Sequence, residues 1–359
     1  MKLDTVLTRI PAWYESGLCI HLQSAPGRGK STTIEAVPEL LAKRYPGKNF
    51  GIVIINGGSL TIADATGYLV PVTREGKSYS EFTRPFWWMT SENRPLEDYD
   101  GGIVFVDEED KLDVDVKKIL GEGALSGRLG SHRIPAGWRI WTAGNRVRDR
   151  SGSTRRLDHL INRRMEIEIT DDIESWIHWA VQNGVSAEAI AFTKLNPTIV
   201  FASEVPEVQG PWCTPRSLVL ADRFMQALTG PDDAVPIDDP DMAIEVAGLI
   251  GLAAQRQLFA MIATRLKLPS LEEIVEDPEG ALLPAKIDEQ MLVAFFLAAR
   301  AERETIGSII KYVERLPVDM AMAFGKAAFK RSPVLIANKD VMAWTKKNAG
   351  MINLLQYGR

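Results

Sequence analysis

Ser24-Ala25-Pro26-Gly27-Arg28-Gly29-Lys30-Ser31 is the stretch whose reading decides the fold. A short apolar run, Leu18-Cys19-Ile20-His21-Leu22, precedes it, and a helix-like segment from Thr32 to Tyr45 follows, with Pro38 expected to kink it or to mark its first turns as a separate piece. Strand, glycine-rich turn and helix form the context that a phosphate-binding loop requires. The glycines let successive backbone N–H groups turn inward around phosphate oxygens, and the helix N-terminus adds unpaired donors. Pro26, Gly27, Arg28, Gly29, Lys30, Ser31 and Thr32 are therefore the expected nucleotide-binding residues. Lys30 would reach the β- and γ-phosphates, and the Ser31 hydroxyl would hold Mg²⁺. The pattern G-x-x-x-x-G-K-[ST] starts with glycine, and this chain has Ser24 there.

A second decisive stretch lies downstream. Phe50-Gly51-Ile52-Val53-Ile54-Ile55 reads as a buried strand, and so does Gly101-Gly102-Ile103-Val104-Phe105-Val106, which ends in Asp107-Glu108-Glu109-Asp110. Carboxylates at the C-terminal edge of a parallel sheet stand where ligands bind. Asp107 is placed for the Mg²⁺ shell and Glu108 for orienting the attacking water. Glu109 and Asp110 are expected to begin a solvated helix from Lys111 to Leu120, before a glycine-rich connection, Gly121 to Gly137. Trp138 to Ala143 reads as another strand, with Asn145 just beyond it, where an amide could bond the attacking water or the γ-phosphate.

Between these landmarks, Tyr68 to Phe82 alternates around Glu75-Gly76-Lys77, a hairpin signal. Arg74, Lys77 and Tyr79 are its candidate substrate contacts. Pro85 to Met89 is an aromatic patch suited to a core or to a contact surface. From Arg128 to Arg164 there are ten arginines: Arg128, Arg133, Arg139, Arg146, Arg148, Arg150, Arg155, Arg156, Arg163 and Arg164. No lysine accompanies them, and the acids are Asp149 and Asp158. Arginine used alone suggests planar, bidentate work on phosphates or carboxylates.

Together these features resemble the AAA+ ATPases, over roughly residues 15 to 230. Within that family the chain is most similar to the MoxR-type, dynein-related branch that includes the CbbQ/NorQ-like proteins. Asp64-Ala65-Thr66-Gly67 plus the hairpin resembles that branch's insert in its second helix. Leu160-Ile161-Asn162-Arg163-Arg164 resembles its Leu-Leu-Asp-Arg-Phe stretch. Thr214-Pro215-Arg216-Ser217 resembles its second-sensor motif. The resemblance implies an ATPase that uses ATP and Mg²⁺ and assembles as a homo-oligomeric ring, usually a hexamer. An arginine of the neighbour, Arg163 or Arg164, would complete each site, and Arg216 would reach the nucleotide of its own subunit. It also implies a protein-remodelling, chaperone-like role, often with a partner carrying a von Willebrand factor A domain. A nucleic-acid motor or loader is the alternative, and a nucleotide-gated scaffold a third.

The expected fold is an α/β P-loop NTPase core with a parallel sheet over residues 1–170, a helical lid over 171–230 and an α-helical extension over 231–359. Residues 1–17 are expected as a lead-in, with Pro11, Trp13 and Tyr14 packed under the nucleotide or the first strand. Beyond the sheet, helices are expected over 171–183, 187–195 and 215–228, with a single long one from Met242 to Leu266. Four more are expected over 289–303, 306–316, 320–330 and 339–348. The net charge of −5 argues against a protein that coats nucleic acid non-specifically. Two cysteines, Cys19 and Cys213, imply no disulfide framework and fit a reducing, cytoplasmic setting. The four histidines are scattered away from cysteine pairs, so no zinc site is expected. Met1 to Ile10 lacks a signal-peptide core, and no run of about 18 apolar residues offers a membrane span.

Overall fold

The computed structural model describes residues 1–129, 131–146, 164–229 and 235–348. The chain divides into two compact units, Met1–Asp171 and Asp172–Arg359. The first is an α/β P-loop fold. Its central sheet has five strands: β1 (Ile20–Ser24), β2 (Phe50–Asn56), β5 (Gly101–Asp107), β8 (Trp138–Asn145) and β9 (Met165–Glu168). They run parallel in the order β2-β5-β8-β1-β9. The register aligns Ser24 with Asn145 and Asn56 with Asp107, so the phosphate loop, the carboxylate strand and Asn145 share one edge of the sheet.

β5 is apolar on both faces, as a central parallel strand should be. Ile103 and Phe105 face a cluster with Leu22, Trp141, Ile34 and Leu41; Val104 and Val106 face another with Val53, Trp87, Leu96, Leu112 and Val116. Trp87 and Trp88 of the aromatic patch are buried, and Phe86 is exposed. β1 is different. Ile20 and Leu22 join the apolar cluster, while the intervening position is the buried His21.

Residues 1–17 form more than a lead-in. Helix α1 (Leu3–Glu15) buries Val6, Ile10, Trp13 and Tyr14, and Trp13 packs edge-on against Trp141 at 6.4 Å between ring centroids. Pro11 lies inside this helix without ending it. After the phosphate loop the expected helix is two, α2 (Lys30–Glu35) and α3 (Val37–Arg44). Pro38 sits in the first turn of α3, where its missing N–H costs no intrahelical bond.

Helix α4 (Ile62–Thr66) starts with a capping box between Thr61 and Asp64. Gly67 then turns with φ 87°, and a Cβ there would lie 1.8 Å from the Thr83 carbonyl oxygen. β3 (Leu69–Arg74) and β4 (Lys77–Phe82) form the expected hairpin, pairing Val72 with Tyr79 and Arg74 with Lys77. The connection expected over 121–137 is instead largely structured. Helix α5 (Val114–Ser126) runs through Gly121 and Gly123, and a short hairpin, β6 (Arg128–Leu129) and β7 (His132–Arg133), follows.

The described part of the second unit is helical around one apolar cluster, drawn from residues between Ile177 and Trp344. Its helices are Ile173–Gln182, Ala187–Leu195, Pro197–Val200, Pro215–Thr229, Pro240–Ile250, Leu252–Arg265, Leu271–Glu276, Ile287–Arg300, Ile306–Val313, Val318–Arg331 and Lys339–Lys347. The single long helix expected from Met242 to Leu266 is broken at Gly251, whose φ of 81° a right-handed helix cannot contain. Leu271–Glu276 and Pro197–Val200 are additional short helices. No helix among the described residues is long and apolar enough to cross a membrane.

Candidate active site at the carboxyl edge of the sheet

The loop between β1 and α2 has the conformation its glycines allow. Gly27 and Gly29 have φ of 72° and 78°, in the left-handed region that side chains with a Cβ resist. Lys30 is buried. Its Nζ donates to the Ser24 carbonyl (3.3 Å), Ser24 Oγ (3.0 Å), the Ala25 carbonyl (3.5 Å) and Asn145 Oδ1 (3.1 Å). Ser24 thus does more than replace a glycine, because its hydroxyl helps seat the lysine. Ser31 Oγ donates to Asp107 Oδ2 at 2.6 Å. Arg28, also buried, places Nε 2.6 Å from Asp171 Oδ1, tying the loop to the segment after β9.

Asp107 closes β5 and accepts the Glu108 N–H at 2.9 Å through Oδ1. Glu108 has φ 53° and ψ 38°, a left-handed conformation that costs a non-glycine residue about 1–2 kcal/mol. Such backbone persists where neighbouring contacts over-determine it. Two do so here. Asp110 Oδ1 accepts the Asn145 backbone N–H at 3.0 Å, and the Glu109 side chain is anchored in the protein interior.

That anchorage corrects the expectation that Glu109 and Asp110 open a solvated helix. They lie in a single 3-10 turn, Glu109–Lys111, and Glu109 is buried. Its carboxylate accepts from Arg164 Nη1 at 2.8 and 2.7 Å and lies 2.7 Å from His21 Nδ1. Arg164 also bonds Glu166 through Nε (3.2 Å), and Gln23 Nε2 donates to Glu166 at 2.7 Å. Burial opposes ionisation of Glu109. The His21 hydrogen bond and the Arg164 charge outweigh it and hold the carboxyl well below its usual range. Burial pulls His21 below the ordinary imidazole value against the influence of Glu109. A neutral His21 still donates from Nδ1, and Arg164 supplies the positive charge.

Of the residues singled out in sequence, the structure brings Lys30, Ser31, Asp107, Glu108 and Asn145 together. Arg164 is 7% exposed and bonded within its own chain. Arg163 and the Leu160–Arg163 part of its motif lie outside the described residues, as do Arg148, Arg150, Arg155 and Arg156. Arg216 is exposed in the first turn of its helix in the second unit, where Thr214 and Ser217 exchange backbone-to-hydroxyl bonds of 2.8 and 3.1 Å. On the β3–β4 hairpin, Arg74 pairs with Glu81 at 2.8 Å, and Lys77 and Tyr79 are exposed. His21 was the signal for the buried network: a histidine within an apolar strand requires a polar partner.

Ser31 and Asp107 offer hard oxygen ligands side by side, which suits Mg²⁺ held by one or two protein groups plus phosphate oxygens. Among the described residues, no group of three or more His, Cys, Asp or Glu could hold a metal.

No protein-family model matches the chain, and no curated protein matches it. Solved structures do. NtrX from Brucella abortus in complex with ADP is 15% identical, covering 97% of this chain and 68% of that one, with a TM-score of 0.39. NtrX in complex with ATP is 13% identical over 98% and 68%, with a TM-score of 0.40. The RuvB Holliday junction branch migration motor of Thermotoga maritima is 13% identical over 85% and 83%, with a TM-score of 0.37.

Proposed function

We propose that the chain is an ATP-hydrolysing AAA+ ATPase of the MoxR-type branch that assembles as a ring and remodels a partner protein. The carrying observation is the meeting of Lys30, Ser31, Asp107, Glu108 and Asn145 at one sheet edge, with Ser31 bonded to Asp107 and Lys30 to Asn145. Lys30 offsets phosphate charge. Ser31 and Asp107 would hold Mg²⁺, which would supply electrostatic stabilisation of the transferring phosphoryl group. Glu108 orients and polarises the attacking water, and the Asn145 amide bonds that water or the γ-phosphate. We assign the arginine that acts on the neighbouring subunit to Arg163 and treat Arg164 as an internal strut. Arg216 is retained as the sensor arginine on the strength of the resemblance.

The hairpin bearing Arg74, Lys77 and Tyr79 is the proposed substrate contact, and a protein with a von Willebrand factor A domain the proposed partner. The pairing of Arg74 with Glu81 favours a protein substrate over a phosphate backbone. Strong, salt-sensitive stimulation of turnover by DNA would instead favour the nucleic-acid motor.

The test mixes two variants. Lys30→Ala lacks a working loop, and Arg163→Ala lacks the trans arginine. Each alone is nearly inactive, and the mixture regains ATPase activity because some boundaries join two intact halves. A mixture as inactive as its parts contradicts the shared site.

A further inference from the structure

At the opposite edge of the sheet from the phosphate loop, the segment before β1, the end of α5 and the start of β8 line an open cavity of about 590 Å³. Cys19 lines it and Ser24 belongs to the loop, so the two places lie roughly 16 Å apart along β1 at ~3.3 Å per residue. The volume is within the range of small-ligand sites, roughly 300–1,000 Å³.

Its charge is one-sided. Arg133 and Arg139 line it, and among the described residues no aspartate or glutamate does. Arg139 donates Nη1 to the Trp138 carbonyl at 3.1 Å, and its guanidinium lies 5.7 Å from the Tyr14 ring centroid. Its Nε is buried and finds no hydrogen-bond partner. The planar guanidinium of Arg139 is suited to an oxyanion at its remaining N–H groups. Cys19 adds no competing charge, because burial pushes its thiol up to about 12.

A second observation is independent of the cavity. In the β6–β7 hairpin, Arg133 stands directly opposite Arg128. Like charges in a cross-strand pair repel. Neither arginine makes an ion pair among the described residues, so this repulsion has no acidic counterpart there. Ser126, one turn before the hairpin, adds a hydroxyl to the cavity wall.

We propose that this cavity is a second anion site, taking a small free polyphosphate between Arg133 and Arg139 and separate from the phosphate loop. The volume suits a small ligand better than the extended backbone of a nucleic acid. The proposal does not depend on the chain being an ATPase.

Isothermal titration with sodium pyrophosphate, in EDTA, on the full-length Lys30→Ala protein tests it. The expected result is one remaining site, weakened at least tenfold by Arg133→Ala and by Arg139→Met. Arg133 is exposed, so its variant keeps the test decisive should Arg139→Met fold poorly. Three results would overturn the proposal: no pyrophosphate binding once Lys30 is removed, binding that Arg133→Ala leaves unchanged, or binding of a single-stranded oligonucleotide but not of pyrophosphate.

Discussion

The Arg164 guanidinium donates to both oxygens of Glu109, at 2.8 and 2.7 Å, with both side chains under a tenth exposed. The pair fastens the residue after Glu108 to the strand that begins at Met165. Glu108, the proposed catalytic carboxylate, is thereby tied through its neighbour to the edge strand of the sheet. Breaking a buried pair from one side typically costs about 3–5 kcal/mol. Glu109→Gln should therefore lower stability by about 3 kcal/mol in urea unfolding at pH 7, and it should slow turnover more than it weakens nucleotide binding. Unchanged stability would mean that the pair adds nothing.

The same network sets a pH dependence. The folded-state value of Glu109 is depressed, so its contribution is complete above the unfolded carboxyl value near 4.5 and is lost as pH falls toward the folded one. His21 is depressed from 6.5, so the unfolded chain takes up its proton first, and stability begins to fall below about that pH. Unfolding midpoints measured from pH 8 to 2 should decline on the acid side, and the part of the decline below about pH 4.5 should be shallower in Glu109→Gln. A profile identical in the two proteins would remove Glu109 as its source.

Lys30→Ala removes one of the two cations of the loop, whose four contacts converge on the loop carbonyls, Ser24 Oγ and Asn145. ATP affinity should fall by roughly a hundredfold, the scale of a charge-assisted bond lost in a buried site. Fluorescent-nucleotide titration reads this directly, and wild-type affinity would refute the loop assignment.

Asn145→Ala keeps the backbone N–H that bonds Asp110 and removes only the amide. Turnover should drop by roughly a hundredfold, as when one oriented donor is removed, with binding nearly unchanged. A binding defect with normal turnover of bound ATP would show that the amide serves the ground state instead.

Much of this architecture is legible in sequence because its signals are local. The phosphate loop, the strand ending at Asp107 and the hairpin around Gly76 each carry their chemistry within a dozen residues. The Glu109–Arg164 pair spans 55 positions, and an acid in a run of acids looks like a solvated helix start. Helix α1 was obscured by Pro11, although its buried residues follow helical spacing. The break at Gly251 was signalled by a glycine inside a long apolar run, where the hydrophobic pattern on either side argued for continuity.

The central claim is that Glu108, held in its left-handed turn at the edge shared with Lys30 and Asn145, drives hydrolysis of bound ATP. Glu108→Gln keeps the shape and removes the carboxylate's pull on water. ATP binding and steady-state phosphate release, measured side by side on this variant and the parent protein, test the claim most directly. The account predicts parent-like affinity with turnover lower by roughly a hundredfold or more, the scale of general-base contributions. Turnover equal to the parent's, or a parent protein that releases no phosphate, would contradict it.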